Sequence, residues 1–276
     1  MMVKLKQCLF QRPYRQIRAF SDVTFSLLIT ILKPLSTNGD IFARILYGDR
    51  AVIADHPYFA GFVHCGAAII SERYLITAAH CFEEHSARQR VRQAYVGGET
   101  TQNSQIVHIE SITLHPEYFK LDGIPFNDVA IIRLRRPLRF SDKVQPVKLP
   151  TRMNYNRSRL VFVGRGTDET GNMSRELRRM DVQRLTVNEC ISLIPQQYHI
   201  YVQRYKNELS KINICATRMG NKPGMCFGDS GSPLVQGDVL VGLASYGGQS
   251  CAQNRLGFYV NVAFYTPWIK QVTGLN

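Results

Sequence analysis

The chain has 276 residues, of which 45% are hydrophobic and 20% charged, and this composition is typical of one folded globular domain. It excludes fibrous, repeat and disordered proteins. The formal net charge is +13, but residues 45–276 contain 27 Lys/Arg against 19 Asp/Glu, which leaves +8. These basic residues form only short clusters such as Arg133, Arg135 and Arg136. We therefore expect a solvated basic surface and no nucleic-acid partner, with a polyanion-binding site as the alternative.

The first 44 residues have the pattern of a leader that is removed from the protein. A basic stretch that includes Lys4, Lys6 and Arg18 precedes a mainly apolar run over 23–32, which stops at Lys33. This run is too short to span a bilayer, but its length is typical of the hydrophobic region of a signal peptide. We predict a signal peptide plus a short activation propeptide over 1–44, secretion to the extracellular space, and no stable membrane anchor.

After residue 44 the chain consists of short apolar and β-branched runs separated by Gly, Pro and polar residues. This pattern is typical of all-β barrels or sandwiches. The predicted strands are 67–70, 74–77, 106–114, 129–134, 160–163, 182–186, 233–235, 239–245 and 257–262. Residues 265–272 are predicted to form one terminal helix, with Trp268 and Ile269 on its apolar face. The polar, proline-containing segment 139–150 is the expected link between two halves.

Three short motifs supply the groups that peptide hydrolysis by an alcohol nucleophile requires. His80 follows a predicted strand in LITAAHC (75–81), Asp128 precedes the strand 129–134, and Ser230 lies in GDSGSP (228–233). Such a reaction needs a reactive serine, a base, a carboxylate that orients the base, and donors for the oxyanion. The alternative is that His80 is a structural histidine of the core and Ser230 a serine in a turn, and that the two share no site. The three motifs together favour a catalytic triad, with the amides of Gly228 and Ser230 directed at one point.

With these motifs in this order, the chain resembles the chymotrypsin/trypsin family of serine proteases over 45–276, in the style of secreted insect chymotrypsin-like enzymes. The resemblance implies an all-β fold of two antiparallel six-stranded β-barrels, with the active site between them and a C-terminal helix. It implies that His80 is the general base and then the general acid, that Asp128 orients His80, and that Ser230 attacks the substrate carbonyl. Protein and peptide substrates, protein inhibitors, a monomeric state and no cofactor or metal are expected with it.

The resemblance also implies activation by cleavage. The segment ARILYG (43–48) resembles the family's activation site, where a trypsin-like protease would cut after Arg44. The new amino group of Ile45 would then pair with Asp229, beside the nucleophile. The residues after Ile45 are Leu-Tyr-Gly where Val-Gly-Gly is commoner in the family.

Seven cysteines are present, of which six lie after residue 44. An even set is typical of disulfides in an oxidising compartment, although spacing alone leaves the pairing open. The resemblance implies three bridges, which are Cys65–Cys81, Cys190–Cys215 and Cys226–Cys251.

The expected specificity pocket is uncharged. By resemblance, Gly224 lies at the pocket floor, Gly247 and Gly257 lie in its walls, Met225 adds apolar lining, and Phe227 lies at the rim. Burying an arginine there without a counter-ion is unfavourable, whereas large apolar side chains gain from burial. We therefore predict cleavage after large apolar residues.

Ser245, Tyr246 and Gly247 resemble the segment that binds substrate as an added antiparallel strand. Ser245 is also expected to donate a hydrogen bond to Asp128.

Two segments depart from the family pattern. Arg165 lies between Gly164 and Gly166, where the family generally has Trp, and the segment from Cys190 to Cys215 is longer than usual. We interpret the long segment as a plain surface loop, with an exosite as the alternative. Asn156 and Asn172 are in glycosylation sequons.

Two other functions compete with a chymotrypsin-like enzyme. One is a catalytically silent protease homologue that acts as a binding or immune-regulatory module, whose usual mark is the loss of a triad residue. The other is a trypsin-like regulatory protease, against which Gly224 argues.

Overall fold

The computed structural model describes residues 48–62, 64–83, 91–151, 159–167, 172–194, 203–220, 224–247 and 255–276. All of them belong to the unit Ile41–Asn276. The predictions on residues 1–44, Ile45, Asn156 and Cys251 lie outside the described residues, so the predicted domain boundary stays a prediction.

The described residues form fifteen strands, three α-helices and two 3₁₀ turns. The strands are β1 (Asp49–Arg50), β2 (Phe59–Phe62), β3 (Cys65–Ile69), β4 (Tyr74–Thr77), β5 (Gln93–Val96), β6 (Gln105–Leu114), β7 (Phe119–Leu121), β8 (Ile124–Phe126), β9 (Ala130–Leu134), β10 (Leu160–Gly164), β11 (Arg178–Arg184), β12 (Asn213–Arg218), β13 (Pro233–Gln236), β14 (Val239–Gly247) and β15 (Leu256–Asn261). The helices are α1 (Val187–Leu193), α2 (Lys206–Ile212) and α3 (Val262–Thr273), and the 3₁₀ turns are Ile53–Asp55 and Ala79–Phe82.

The first barrel is closed by six antiparallel strands in the order β2, β3, β4, β9, β6 and β5. Its strands alternate between buried and exposed residues, as β6 does with Val107 and Ile109 inside and His108 and Glu110 outside. The inward residues, which include Leu75, Val107 and Ile109, form one apolar cluster. Closure removes the unpaired sheet edges that an open sheet of this size would expose.

The second barrel has the strand order β11, β10, β13, β14, β15 and β12, and it closes because β12 also pairs with β11. The short β1 adds to the outside of β11. Phe162, Met180, Leu234 and Tyr259 are among the side chains that fill the interior. The predicted all-β fold of two six-stranded antiparallel barrels is confirmed.

A third apolar cluster joins the two barrels and the terminal helix. It contains Ile76 and Val129 from the first barrel, Leu243 from the second, and Tyr265 and Ile269 from α3. The helix begins three residues earlier than predicted and ends at Gly274, whose φ of 70° forms a left-handed C-cap. It is too short to span a membrane, as are the other described helices.

The strand predicted over 182–186 is displaced in the structure, where β11 covers Arg178–Arg184. Alternate residues Arg178, Met180 and Val182 point inward, and Arg178 is only 2% exposed. Because Arg178 is charged, the alternation of inward and outward residues could not be recognised in the sequence. The charge is tolerated because Glu176 pairs with the guanidinium. Thr186 does not extend the strand but caps α1 through a capping box with Glu189.

The interpretation of the Cys190 to Cys215 segment as a plain surface loop is wrong for residues 203–212. This part contains α2, and Leu209 and Ile212 are buried in the cluster that joins the barrels. Tyr205, four residues before Leu209, contacts the ring of Phe126 edge to face. The spacing of these three apolar residues fits one face of a helix. The segment therefore supports the β7–β8 hairpin, which contains Phe126.

Replacement of Leu209 by Ala should lower the free energy of unfolding by about 2–4 kcal/mol, because a buried side chain leaves a cavity. Urea denaturation with the disulfides intact measures this change. Asn207→Ala on the exposed face of α2 is the matched control and should change stability by less than about 0.5 kcal/mol. Equal effects of the two substitutions would contradict the buried position of α2.

Candidate active site

His80 and Asp128 form a two-point contact at the junction of the barrels. The Asp128 Oδ1 atom accepts the backbone N–H of His80 at 2.8 Å, and Oδ2 lies 2.7 Å from His80 Nδ1. The hydroxyl of Ser245 on β14 also donates to Oδ2, as predicted for this residue. Because Nδ1 faces the carboxylate, the imidazole keeps Nε2 for a partner on its other side.

The pKa of Asp128 is set by opposing effects. Burial of this carboxylate, which is 3% exposed, acts to raise its pKa. The charge of His80 and the hydrogen bonds from His80 and Ser245 outweigh burial and hold the pKa below its ordinary value. Asp128 is therefore an anion at neutral pH, suited to stabilise a positive charge on His80.

The backbone conformation of Asn127 aims Asp128 at His80. Asn127 has a φ of 51°, in the left-handed region that asparagine tolerates better than most residues. Its side-chain amide donates to the Glu117 carbonyl at 2.8 Å, and its Oδ1 accepts the Tyr265 hydroxyl at 2.9 Å. Helix α3 thus fixes the turn that precedes the aspartate.

Ser230 lies on a turn that is fixed to both barrels. Its carbonyl accepts the Gly66 N–H of β3 at 2.8 Å, and the next residue, Gly231, donates to the Ala244 carbonyl of β14 at 2.7 Å. Gly231 has a φ of 73°, and a Cβ there would lie 2.0 Å from the Thr77 hydroxyl oxygen. Only glycine fits this turn, which holds Ser230 in place between the barrels.

The contacts of Gly66 also bring Ser230 into the same corner between the barrels as His80. Thr77 donates to the Gly66 carbonyl at 2.7 Å, and the chain reaches His80 three residues later. The Cys65–Cys81 disulfide closes this corner, with the pairing expected from the resemblance. Among the described residues no hydrogen bond joins His80 to Ser230, and such bonds often tighten only when substrate binds.

A count of backbone donors identifies the free amides around Ser230. The amides of Cys226, Asp229, Gly231 and Ser232 all donate to acceptors within the protein. Between Cys226 and Ser232, the amides of Phe227, Gly228 and Ser230 have no acceptor among the described residues, and of these three residues only Gly228 and Ser230 are half-buried. Since buried or half-buried amides are normally paired, these two are available to an oxyanion.

The predicted pocket residues that the structure describes lie on β14, on β15 and in the segment before the nucleophile. Gly247 and Gly257 are direct cross-strand partners on β14 and β15. A Cβ at Gly257 would lie 3.1 Å from the Met225 methyl group and 3.0 Å from the Tyr259 hydroxyl oxygen. Gly224 is buried beside Met225. The described floor and walls therefore present no charged side chain.

Two aromatic residues are predicted to contact substrate. Phe227 is 70% exposed, which is the largest exposure of any bulky apolar side chain among the described residues. Tyr246 is stacked on Phe258, with the ring centroids 4.6 Å apart and the planes 6° from parallel.

Asp229 is a buried carboxylate with only amide partners among the described residues. Its two oxygens accept the backbone N–H groups of Gly166 and Cys226 at 2.7 and 2.9 Å. Burial raises its pKa to about 7, although both hydrogen bonds act to lower it. Among the described residues, Asp229 thus has no cation that would make its ionised form favourable.

Comparison with known proteins identifies the family. The sequence profile described as Trypsin matches residues 45–269. The chain belongs to this family. Trypsin alpha of Drosophila melanogaster is 30% identical over 234 residues, which are 82% of this chain and 86% of that protein. The CLIP domain-containing serine protease B4 of Anopheles gambiae is 30% identical over 261 residues, 82% of this chain and 69% of its relative.

A solved structure agrees with this assignment. Mouse neuropsin, a serine protease expressed in the limbic system of the brain, has a TM-score of 0.68 and 25% identity, over 82% of this chain and 98% of neuropsin. As a trypsin-family member, the chain is a serine endopeptidase with protein substrates. Within the described residues, no three His, Cys, Asp or Glu side chains are grouped so as to hold a metal ion.

The other described cysteines are Cys190, Cys215 and Cys226. Cys190 in α1 is bonded to Cys215 in β12, the pair implied by the resemblance. Cys226 is also disulfide-bonded. Its expected partner Cys251 lies outside the described residues, so this pairing stays a prediction.

Thr77, Asn127 and Tyr265 support the site but were not identified from the sequence. Asn127 could have been recognised from the sequence, because it directly precedes Asp128 and asparagine is enriched at positive φ. Thr77 and Tyr265 carried no comparable signal, since their roles depend on contacts 11 and 138 residues away in sequence.

The raised pKa of Asp229 predicts a pH dependence of stability in the uncleaved chain. Between about pH 4 and 7 the folded chain holds a proton on Asp229 that the unfolded chain has released, so stability falls as pH rises. Relative to Asp229→Asn, the wild-type free energy of unfolding should decline by about 2–4 kcal/mol over this range and then level off. Urea titrations at several pH values measure this difference.

Asp238→Asn is the control for this experiment, because a hydrogen bond from Lys148 holds the pKa of exposed Asp238 below its ordinary value. A lowered pKa gives no decline in stability with rising pH above 4. A flat difference between wild type and Asp229→Asn would mean that Asp229 is already paired with a cation before cleavage.

Proposed function

We propose that this serine endopeptidase is secreted as a zymogen, is activated by cleavage after Arg44, and hydrolyses peptide bonds after large apolar residues with His80, Asp128 and Ser230 as its triad. The observation that carries the proposal is the buried Asp128 carboxylate bonded through both oxygens to His80, in the corner that holds the Ser230 turn.

In the proposed mechanism, the Ser230 Oγ atom attacks the scissile carbonyl carbon while His80 Nε2 takes its proton. The tetrahedral intermediate collapses with cleavage of the C–N bond, and His80 gives the proton to the departing amine. Water then hydrolyses the acyl-enzyme by the same route, with His80 again as the base. Asp128 keeps the imidazole in the required tautomer and stabilises its cationic form.

The oxyanion of both intermediates would be bound by the amides of Gly228 and Ser230. Their lack of other acceptors among the described residues supports this role. A pair of preorganised amides of this kind stabilises negative charge that exists only near the transition state.

The lack of a charged side chain at Gly224, Met225, Gly247 and Gly257, the predicted pocket residues that are described, supports a preference for Phe, Tyr, Leu or Met before the scissile bond. Desolvating an arginine there without a counter-ion costs free energy, whereas Met225 and the glycine walls favour an apolar side chain. The residues before the scissile bond would pair with Ser245, Tyr246 and Gly247 on β14 as an added strand.

The uncompensated Asp229 supports activation by cleavage. The α-ammonium of Ile45, released by a cut after Arg44, is a cation that could enter the site and pair with this carboxylate. Since Asp229 lies between the amides of Gly228 and Ser230 in the chain, the new ion pair would order the oxyanion site.

Secretion is supported by the leader pattern of residues 1–44 and by the disulfides at Cys65–Cys81 and Cys190–Cys215. Structural disulfides persist in oxidising compartments.

Gly224→Asp should reverse the specificity. A carboxylate at the pocket floor supplies the missing counter-ion, so the ratio of kcat/KM for Arg over Phe peptides should rise about 100-fold. The isosteric Gly224→Asn is the control and should leave Phe preferred. Wild-type preference for Arg would contradict the pocket assignment, and Ser230→Ala should abolish all turnover.

Arg44→Gln should prevent activation, because a trypsin-like activator no longer has a basic residue to recognise. The measurement is peptide hydrolysis after treatment with trypsin, with N-terminal sequencing of the product. Undiminished activity in Arg44→Gln would disprove this activation site. No turnover by wild-type protein shown to begin at Ile45 would instead favour a catalytically silent homologue.

A further inference from the structure

Arg165 lies one residue before a segment that is bonded to the loop of the nucleophile. It follows β10 directly, and its neighbour Gly166 donates to Asp229 at 2.7 Å. Thr167 donates both its amide and its hydroxyl to the carbonyl of Phe227. These bonds fix the backbone of Arg165 beside the proposed oxyanion site.

The Arg165 side chain crosses from the second barrel to the first. Its guanidinium carbon lies 5.1 Å from the ring centroid of Phe59 in β2, and Nη2 lies 3.2 Å from the Cβ position of Gly61. Nη1 makes a long hydrogen bond of 3.4 Å to the hydroxyl of Thr101. The absence of a side chain at Gly61 leaves the room that the guanidinium occupies.

The guanidinium is close to Ser230 on the side away from β14. Gly61 is the direct cross-strand partner of Gly66, and Gly66 donates to the Ser230 carbonyl. Neighbouring chains in such pairs are about 4.8 Å apart, so the guanidinium lies on the order of 10 Å from the nucleophile. An extended peptide covers this distance in about three residues.

The charge of Arg165 has no carboxylate partner among the described residues. Its contact with the Phe59 ring is a cation–π interaction, and the hydroxyl of Thr101 satisfies only one of five N–H donors. Burial lowers the pKa of Arg165 to about 10, so the side chain is still positive at neutral pH. The side chain is partly exposed and can be reached by an anion.

We propose that Arg165 binds a substrate carboxylate, that of an Asp or Glu two or three residues after the scissile bond. This inference rests on the proposed function, in which the residues before the scissile bond pair with β14. The residues after that bond then leave in the other direction, over the hairpin of β2 and β3 and past the guanidinium. Arg165 thus makes the enzyme select an acidic residue on the leaving-group side.

The test uses full-length protein cleaved after Arg44 and internally quenched peptides that differ only by Glu or Gln at the second or third residue after the scissile bond. The residue before that bond is whichever of Phe, Leu or Arg the enzyme cleaves best. The Glu/Gln ratio of kcat/KM should be about 3 to 10 at low salt and should shrink as salt is added. Because each ratio is internal to one variant, a change in overall activity does not affect it.

Arg165→Gln should bring the ratio close to 1, Arg165→Lys should keep part of the preference, and Arg165→Glu should invert it. The matched control is Arg135→Gln, which removes one exposed positive charge beyond the far end of β9 and should leave the ratio unchanged. A wild-type ratio near 1 with normal cleavage of the Gln peptide would overturn this inference alone. A preference that survives in Arg165→Gln would also overturn it, whereas no cleavage of either peptide would overturn the proposed function as well.

Discussion

The site is organised around a buried negative charge at the place where the two barrels meet. An isolated carboxylate as buried as Asp128 is strongly unfavourable, so the fold must supply donors to it from several directions. His80 reaches it from the 3₁₀ turn after β4, and Ser245 reaches it from β14 in the other barrel. The relative position of the two barrels is therefore tied to the hydrogen bonding of Asp128, because the donors to this carboxylate come from both barrels.

Two aspartates of this protein show how partners, and not burial alone, decide the charge of a carboxyl group. Asp128 and Asp229 are both buried, yet the pKa of the first is held below its ordinary value and that of the second is raised to about 7. The difference lies in the partners, because Asp128 accepts hydrogen bonds from His80 and Ser245 whereas Asp229 has only backbone amides among the described residues. A buried carboxylate that has only backbone amides as partners favours any change that brings a positive group to it. This preference is the physical basis for the proposed activation by a new N-terminus.

The sequence was sufficient for the strands and for the motifs of the candidate site, because both depend on local patterns, whereas the arrangement in two barrels was implied only by the resemblance to the family. Alternating apolar runs located most strands, and LITAAHC and GDSGSP are each continuous in the chain. The sequence was insufficient where a residue occupies a position that its residue type usually avoids. Arg178 occupies an inward strand position because Glu176 neutralises it, and Tyr205, Leu209 and Ile212 form a buried helix face that is visible only once their neighbours are known. The contacts of Thr77 and Tyr265 depend on tertiary structure alone.

The departures from the family pattern lie around the site and not in it. Gly224 removes the charge at the proposed pocket floor, α2 supports the hairpin through Tyr205 and Phe126, and Arg165 replaces an apolar ring with a cation next to Phe59. None of these residues contacts the carboxylate of Asp128, so each can vary without disturbing the donors that the barrels supply to it. In the proposed function, changes at Gly224 and Arg165 would alter which chain is bound and leave the bond-breaking groups in place. The proposed selectivity and the proposed chemistry thus depend on different side chains held by the same frame.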